Sequence, residues 1–191
     1  MSLNSSPYEI RKAIPSDAEG ISYVHVKAWQ TSYVGMIEQA YLDAISYDER
    51  LQLRKRILNS EDMLVLVVVY GEKIVGFADA GSLRAKAYNE TFFPSHKAHL
   101  KYGEIYAIYL LKEHQGKGLG HELYEECRRW FKAQSYSGFV TWGLAKNVCA
   151  RQFYEREGGR IVGKTVVTIG NKEYEEYCYL FENIYPEIMK V

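Results

Sequence analysis

The sequence predicts a single domain of the mixed α+β class. Its 191 residues are enough to form one sizeable hydrophobic core, but the chain is short for two domains. Apolar runs of strand length alternate with segments whose apolar residues recur at helical spacing. Strand-like pairs joined by tight turns lie toward both ends of the chain, and a strand–loop–helix–strand–helix unit lies between them. No internal repeat or low-complexity linker interrupts this order, so we expect one domain over residues 1–191.

The first part of the chain begins with a predicted strand at residues 8–13, followed by a helix. Ser16 and Asp17 are cap candidates for this helix, because their side chains suit an N-cap position. The apolar stripe that follows has helical spacing and consists of Ala18, Ile21, Val24 and Ala28. A second helical region is expected over residues 38–59.

The middle of the chain is rich in predicted strands. Two β-runs within residues 63–84 predict a hairpin that turns at residues 70–73. Residues 86–102 show no clean period, and a loop of this length often takes part in binding. The run YGEIYAIYLL at 102–111 carries large apolar residues on both faces, which predicts a central strand buried on both sides.

The last part alternates helices and strands. A helix is predicted from about residue 117 to about residue 134, and a strand over 138–145. The helix predicted at 147–159 ends on glycine, the residue preferred after a helix C-terminus. A final hairpin turns at residues 170–172.

The charge balance argues against a polyanion-binding surface. The chain has 24 basic and 24 acidic residues, so it lacks the excess of cations that releases counterions from a nucleic acid. We therefore expect no nucleic-acid partner.

The cysteines indicate a reducing compartment. Cys127, Cys149 and Cys178 are dispersed, without the spacing of a zinc site or a disulfide framework. His96 and His99 lie three residues apart, but no third ligand is evident, so we expect no metal site. The N-terminus lacks the pattern of a signal peptide, and no apolar run approaches the ~20 residues of a membrane span. A cytoplasmic protein without a membrane partner is expected.

A glycine-rich loop follows the predicted central strand. Residues 115–120 read Gln-Gly-Lys-Gly-Leu-Gly and lead directly into a helix. The unbonded N–H groups of a helix start form an anion site, and glycines let a phosphate approach the backbone closely. A phosphate or diphosphate ligand is therefore the physical expectation, and a turn without a ligand is the alternative.

Neither of the two common nucleotide-binding motifs fits this loop. The Rossmann pattern requires a third glycine where this chain has His121. The P-loop requires a hydroxyl residue after its lysine, and Lys117 is followed by Gly118.

The pattern Q/R-x-x-G-x-G/A fits Gln115, Gly118 and Gly120, and here the sequence resembles the GNAT superfamily of N-acetyltransferases. The stretch WGLAKNVCARQFYEREGG resembles the next strand and helix of that superfamily, and the opening IRKAIPSDAEGI and the hairpin segment KIVGFADAG are also similar. The resemblance extends over almost the whole chain. It implies one domain with a central, mostly antiparallel mixed sheet of about seven strands and about four helices, in which splayed strands hold acetyl-CoA.

The resemblance also implies the residues that bind acetyl-CoA, the acyl donor. Ile108 and Leu110 are expected to bind the pantetheine arm through their backbone, and Asn147 and Tyr154 to contact the cofactor. Backbone amides of the glycine loop are expected to bind the diphosphate. This loop consists of Gln115, Gly116, Lys117, Gly118, Leu119 and Gly120.

Two catalytic residues follow from the same resemblance. Tyr154 occupies the position of a tyrosine that protonates the leaving thiolate. Glu104 shares alternation parity with Ile108 and Leu110 and is the candidate general base. On the following strand, where other members place a base, this chain has Trp142, which cannot accept a proton. A solvated Glu104, with water accepting the proton, remains the alternative.

The implied activity is acetyl transfer to a primary amine of a small molecule or a protein, by direct attack in a ternary complex. A non-catalytic acyl-CoA sensor on the same fold is the alternative. Trp29, Tyr33 and Tyr88 are candidates for the acceptor site, although all three also suit ordinary packing. The tyrosines of the C-terminal hairpin, Tyr174, Tyr177 and Tyr179, could form the contact of a homodimer or could pack in the core.

Overall fold

Seven strands and five α-helices make up the part of the chain that the structure, a computed structural model, describes: residues 6–84 and 100–182. The strands are β1 (Tyr8–Lys12), β2 (Leu64–Tyr70), β3 (Lys73–Ser82), β4 (Tyr102–Leu110), β5 (Gly138–Leu144), β6 (Arg160–Ile169) and β7 (Lys172–Glu182). The helices are α1 (Ala18–Ser32), α2 (Gln39–Asp43), α3 (Tyr47–Leu58), α4 (Leu119–Ala133) and α5 (Val148–Arg156).

The strands form one mixed sheet in the order β1-β2-β3-β4-β5-β7-β6. β4 and β5 are parallel, whereas β1 pairs with β2, and β7 with both β5 and β6, in antiparallel fashion. This confirms the expected fold class, with five helices where about four were expected. Within the described residues, no helix is both long and apolar enough to cross a membrane.

The chain divides into two compact units. Within the described residues, the first unit contains 6–79 and 107–125, and the second contains 80–84, 100–106 and 126–182.

The core of the first unit forms between α1 and the strands β2 and β3. Its fully or nearly fully buried members are Ile21, Val24, Val65, Val67 and Phe77. The helix contributes one apolar stripe and the strands contribute alternate residues, as the periods of the two structures require. Burying each such side chain stabilises the fold by about 1.5–3 kcal/mol.

The second unit has an aromatic stack and an apolar cluster. Phe139 stacks on both Phe131 and Phe181 with ring centroids 4.8 Å apart. The apolar cluster consists of Tyr102, Val140, Cys178 and Leu180. Burial raises the pKa of the Cys178 thiol to about 12, and the nearby Glu104 carboxylate adds to this shift. Tyr179 of the C-terminal hairpin is fully buried, so this tyrosine belongs to the core.

Two local expectations need correction. The helical region expected at 38–59 is two helices, because Ser46 caps a new start by accepting a hydrogen bond from the Glu49 N–H at 3.2 Å. The Asp17 side chain does not cap α1. Its carboxylate instead accepts from the Ile14 N–H at 2.8 Å and pairs with Arg11, which lowers the pKa of Asp17.

Candidate active site

Strand β4 contains one extra residue relative to its neighbour β3. The Leu83 N–H donates to the Tyr102 carbonyl, and the Leu111 N–H donates to the Val75 carbonyl. Between these two bonds β4 advances nine residues, from 102 to 111, whereas β3 goes back only eight, from 83 to 75. Regular antiparallel pairing keeps the sum of the paired residue numbers constant, so the difference is a β-bulge in β4.

The bulge lies between Ile105 and Ala107. The Ile105 carbonyl accepts a hydrogen bond from the Thr141 hydroxyl of β5 at 3.0 Å, so this residue still follows the alternation set at Tyr102. From Ala107 onward, every second residue packs on the core of the first unit, as a regular strand requires. The register between β4 and β5 runs from Tyr102↔Gly138 and ends at Ile105↔Thr141.

The bulge sets the direction of the Ile108 and Leu110 backbone groups, which the family resemblance implies bind the pantetheine arm. Because the Leu111 N–H points to β3, the N–H groups of Leu110 and Ile108 point away from β3. The Leu110 carbonyl accepts a hydrogen bond from the Gln115 side-chain amide at 3.0 Å. Ile108 and Leu110 therefore lie at the end of β4 with their N–H donors directed outward, and the 3₁₀ turn Lys112–His114 leads from there to the glycine loop.

The glycine loop has the backbone conformation that an anion site needs. Gly116 and Gly118 have φ of 72° and 83°, and a Cβ at either position would have no other atom within 4 Å. α4 begins at Leu119, so the first N–H groups of this helix lie at the end of the loop. This open surface at the positive end of a helix dipole suits a diphosphate.

A side-chain cluster that the sequence reasoning missed lies beside the loop. Lys117 donates from Nζ to the Tyr8 hydroxyl at 2.9 Å, and this hydroxyl lies 3.0 Å from Nδ1 of His114. Tyr70, the register partner of Tyr8 on β2, packs against both rings. No local sequence signal identifies this cluster, because Tyr8 lies more than a hundred residues from Lys117 along the chain.

Glu104 is fully buried and its carboxylate is held by Arg84. Oε1 accepts from Nε of Arg84 at 2.9 Å and also from Nη2, and Oε2 accepts from the Arg84 backbone N–H at 3.1 Å. The guanidinium also lies over the ring of Tyr106, 4.7 Å from its centroid. These contacts leave the carboxylate with little unused acceptor capacity.

The alternation argument for Glu104 is wrong. It placed Glu104 on the same face of β4 as Ile108 and Leu110, but the bulge lies between these positions. One inserted residue reverses the faces of all the side chains that follow it. The role of Glu104 as a base stays a prediction, without the support of this argument.

Tyr154 belongs to α5 and Asn147 immediately precedes this helix, both in the second unit. Asn147 is the N-cap of this helix, with Oδ1 accepting from the Ala150 N–H at 3.0 Å. The ring of Tyr154 lies over Gly143 of β5, where a Cβ would come within 3.2 Å of it, and packs against Tyr179 at 5.2 Å. The glycine contact explains how a large ring fits against this strand.

Two of the three candidate acceptor residues belong to an aromatic cluster in the first unit. Trp29 on α1 and Tyr33, the residue that follows this helix, are in edge contact at 5.0 Å. The hydroxyls of Tyr33 and Tyr109 are 3.0 Å apart. His25 stacks on Tyr109 with centroids 5.6 Å apart. Tyr88 lies outside the described residues, as does most of the loop expected at 86–102.

The predicted site residues thus fall into two groups. The first unit contains Ile108, Leu110, the glycine loop, Trp29 and Tyr33. The second unit contains Glu104, Asn147 and Tyr154. Across the two described segments, no group of three or more side chains is arranged to hold a metal ion.

A sequence model of the Acetyltransferase (GNAT) family matches residues 24–159, well over half of the chain. The chain belongs to the GNAT acetyltransferase family. The resemblance seen in the sequence is therefore confirmed, and with it the expectation of an N-acetyltransferase.

Known N-acetyltransferases are similar to this chain in sequence and in fold. This acetyltransferase is 29% identical over 140 residues to YuaI, an uncharacterised N-acetyltransferase of Bacillus subtilis, and the match covers 72% of each chain. Its fold is similar to the PaiA N-acetyltransferase of Thermoplasma acidophilum, solved in complex with coenzyme A. There the TM-score is 0.62, the identity 20%, and the coverage 88% of this chain and 97% of the other.

A second solved structure is the acetyltransferase yncA of Salmonella typhimurium with acetyl-CoA. Its TM-score is 0.65 at 19% identity, with 93% of this chain and 94% of the other covered.

Proposed function

We propose that the protein is an acetyl-CoA-dependent N-acetyltransferase that acetylates a primary amine of a small molecule or a protein, and that its chain is one such domain. The observation that carries this proposal is the outward direction of the Ile108 and Leu110 N–H groups, one short 3₁₀ turn before an open glycine loop at a helix start. An extended ligand with amides followed by a diphosphate matches this order of donors.

Acetyl-CoA fits these residues. It supplies an acetyl thioester, whose carbonyl carbon a neutral amine attacks. Ile108 and Leu110 offer backbone donors to the amides of the pantetheine arm, and the loop amides offer donors to the diphosphate. That two structural neighbours were solved with coenzyme A or acetyl-CoA supports the same donor here.

The reaction needs two proton transfers. As the amine nitrogen bonds to the acetyl carbon, the carbon–sulfur bond breaks, the nitrogen loses a proton and the thiolate gains one. Tyr154 is the candidate proton donor to the thiolate. Its ring is fixed against Gly143 and Tyr179, so its hydroxyl has a defined position.

The amine proton passes to water in this proposal. Glu104, the other candidate, is buried and holds Arg84 through both of its oxygens. Protonation would neutralise the buried carboxylate that pairs with the Arg84 guanidinium, and losing this charge-assisted hydrogen bonding is unfavourable. We therefore assign Glu104 the role of anchoring Arg84. In the proposed reaction the amine attacks the thioester directly, and water accepts the amine proton.

We propose a cytoplasmic location, which the free thiols support. Cys127, Cys149 and Cys178 are free, as a reducing compartment allows.

The first experiment measures the melting temperature with acetyl-CoA, CoA and ATP. A ligand at one hundred times its Kd stabilises the folded state by about 2.7 kcal/mol, so acetyl-CoA and CoA should raise the melting temperature and ATP should not. A panel of amines with detection of the released thiol then tests turnover. Binding without turnover across small amines and peptides would instead support the acyl-CoA sensor, and no shift at millimolar acetyl-CoA would refute the proposal.

A further inference from the structure

Four side chains next to the glycine loop form what we call the Tyr8 cluster: Tyr8, Tyr70, His114 and Lys117. The rings of Tyr8 and Tyr70 are 4.9 Å apart, and His114 lies 5.7 Å and 5.3 Å from them. The 3₁₀ turn Lys112–His114 brings the imidazole to this strand pair, and the glycine loop begins at the next residue.

One hydrogen bond of the cluster has a fixed direction. An ammonium has three donors and no acceptor, so the Tyr8 oxygen accepts from Lys117. The Tyr8 hydroxyl hydrogen is then available to His114 Nδ1, which accepts it in the neutral tautomer that carries its proton on Nε2. Donation to His114 makes the Tyr8 oxygen a better acceptor for Lys117, because bonds in a chain polarise one another.

The positive charge of Lys117 has no carboxylate partner in the described segments. Its ammonium donates a hydrogen bond to the Tyr8 hydroxyl and lies over the Tyr8 ring, 5.5 Å from the centroid. A neutral hydroxyl restricts the position of a lysine without neutralising it. The other side of the loop start is tied to β4 by the bond from Gln115 to the Leu110 carbonyl.

We infer that Tyr8 is a positioning residue for the diphosphate site: its hydroxyl holds the Lys117 ammonium beside the loop amides, where that charge binds the diphosphate of the acyl donor. This inference rests on the proposed function, which supplies the ligand. The strand β1 thereby takes part in cofactor binding through one hydroxyl group.

The Tyr8→Phe variant separates this role from packing. It keeps the ring that contacts Tyr70 and His114 and removes only the hydroxyl. Tyr70→Phe is the matched control, because it removes a neighbouring hydroxyl on the paired strand. Lys112→Gln removes a nearby exposed lysine that precedes the loop and serves as the charge control.

Calorimetric titration of CoA, dephospho-CoA and acetyl-pantetheine onto the folded proteins tests the inference. We expect Lys117→Gln to weaken CoA binding about fivefold and Tyr8→Phe about threefold, the size of one solvent-exposed charge contact. The double variant should be no weaker than Lys117→Gln alone, since both changes remove one interaction. Dephospho-CoA should show the same losses, and acetyl-pantetheine, which has no diphosphate, should show none.

Each result bears on the inference. Additive losses in the double variant, equal losses for acetyl-pantetheine, or a loss of the same size in Tyr70→Phe or Lys112→Gln would overturn it. A loss seen with CoA but not with dephospho-CoA would overturn the assignment to the diphosphate. Wild-type protein that binds CoA but transfers no acetyl group refutes the proposed function alone, whereas wild-type protein that binds no CoA refutes both.

Discussion

Glu104 shows how a residue's contacts decide between two roles. Its carboxylate accepts three hydrogen bonds from Arg84 and is fully buried, whereas the Arg84 side chain is partly exposed. A residue in this position stabilises the chain segment that Arg84 belongs to. A general base needs an acceptor that reaches the amine, directly or through one water molecule.

We predict that Glu104→Gln lowers the free energy of unfolding by about 1–3 kcal/mol, because a charged hydrogen-bond partner of Arg84 is lost. The value of kcat should fall less than about tenfold, whereas removal of a general base costs about 10²–10⁴-fold. Urea unfolding and steady-state kinetics measure the two effects, and Arg84→Gln provides the matched variant of the same pair. A hundredfold loss of kcat at unchanged stability would restore Glu104 as the base.

Tyr154 is the residue whose hydroxyl we expect to act in the chemical step. Tyr154→Phe keeps the ring contacts with Gly143 and Tyr179 and removes the proton donor. We predict a fall in kcat of about 10²–10³-fold with the affinity for acetyl-CoA unchanged within about twofold. The drop should be smaller for an acetyl ester of a more acidic thiol, which leaves without protonation. Equal losses for both donors would argue against Tyr154 as the acid.

The start of helix α5 combines a structural and a predicted binding role in Asn147. Oδ1 of its side chain caps the helix, which leaves the two Nδ2 donors for a ligand. We predict that Asn147→Ala lowers stability by about 1 kcal/mol and that Asn147→Ser restores it, because serine also caps helices. Affinity for acetyl-CoA should be about threefold to fivefold lower in both variants. If serine restores affinity as well, Asn147 is a cap alone.

The elements themselves were largely predictable from the sequence. The strand β4 and the helix α4 lie within about two residues of their expected bounds, since long apolar runs and helical stripes are strong local signals. The break between α2 and α3 was missed because Ser46 acts as a cap inside an otherwise continuous helical pattern.

The bulge in β4 was not predictable from the sequence. It is defined by pairing with β3, and pairing depends on residues far away along the chain. The same holds for the contact of Arg84 with Glu104 and for the Tyr8 cluster. The sequence motif therefore predicted the position of the glycine loop. The side-chain contacts around the site could be identified only in the three-dimensional structure.

At the scale of the whole molecule, one half-buried histidine couples stability to pH. His25 packs among the rings of Trp29, Phe77 and Tyr109. Burial lowers the pKa of His25 from its ordinary value near 6.5 to about 3, and the positive charges of Arg50 and Arg54 add to the shift. The folded protein therefore keeps this imidazole neutral at pH values where the unfolded chain protonates it.

The sign of the effect follows from proton binding. Between pH 6.5 and about 3 the unfolded state binds one more proton at His25 than the folded state, so stability falls as the pH is lowered. Asp17, whose pKa Arg11 also lowers, adds a loss of the same sign only below its ordinary value of 3.8. The interval from pH 6 to pH 4.5 thus isolates His25 from this carboxylate.

We predict that the free energy of unfolding falls by up to about 1.4 kcal/mol per pH unit in that interval, the slope of one proton. His25→Gln should remove most of this slope while lowering stability at neutral pH, because the packing of the rings changes. His121→Gln, on the exposed surface of α4, should leave the slope intact and is the control. Urea unfolding followed by tryptophan fluorescence at several pH values measures all three proteins, and a slope unchanged in His25→Gln would show that other groups carry the pH dependence.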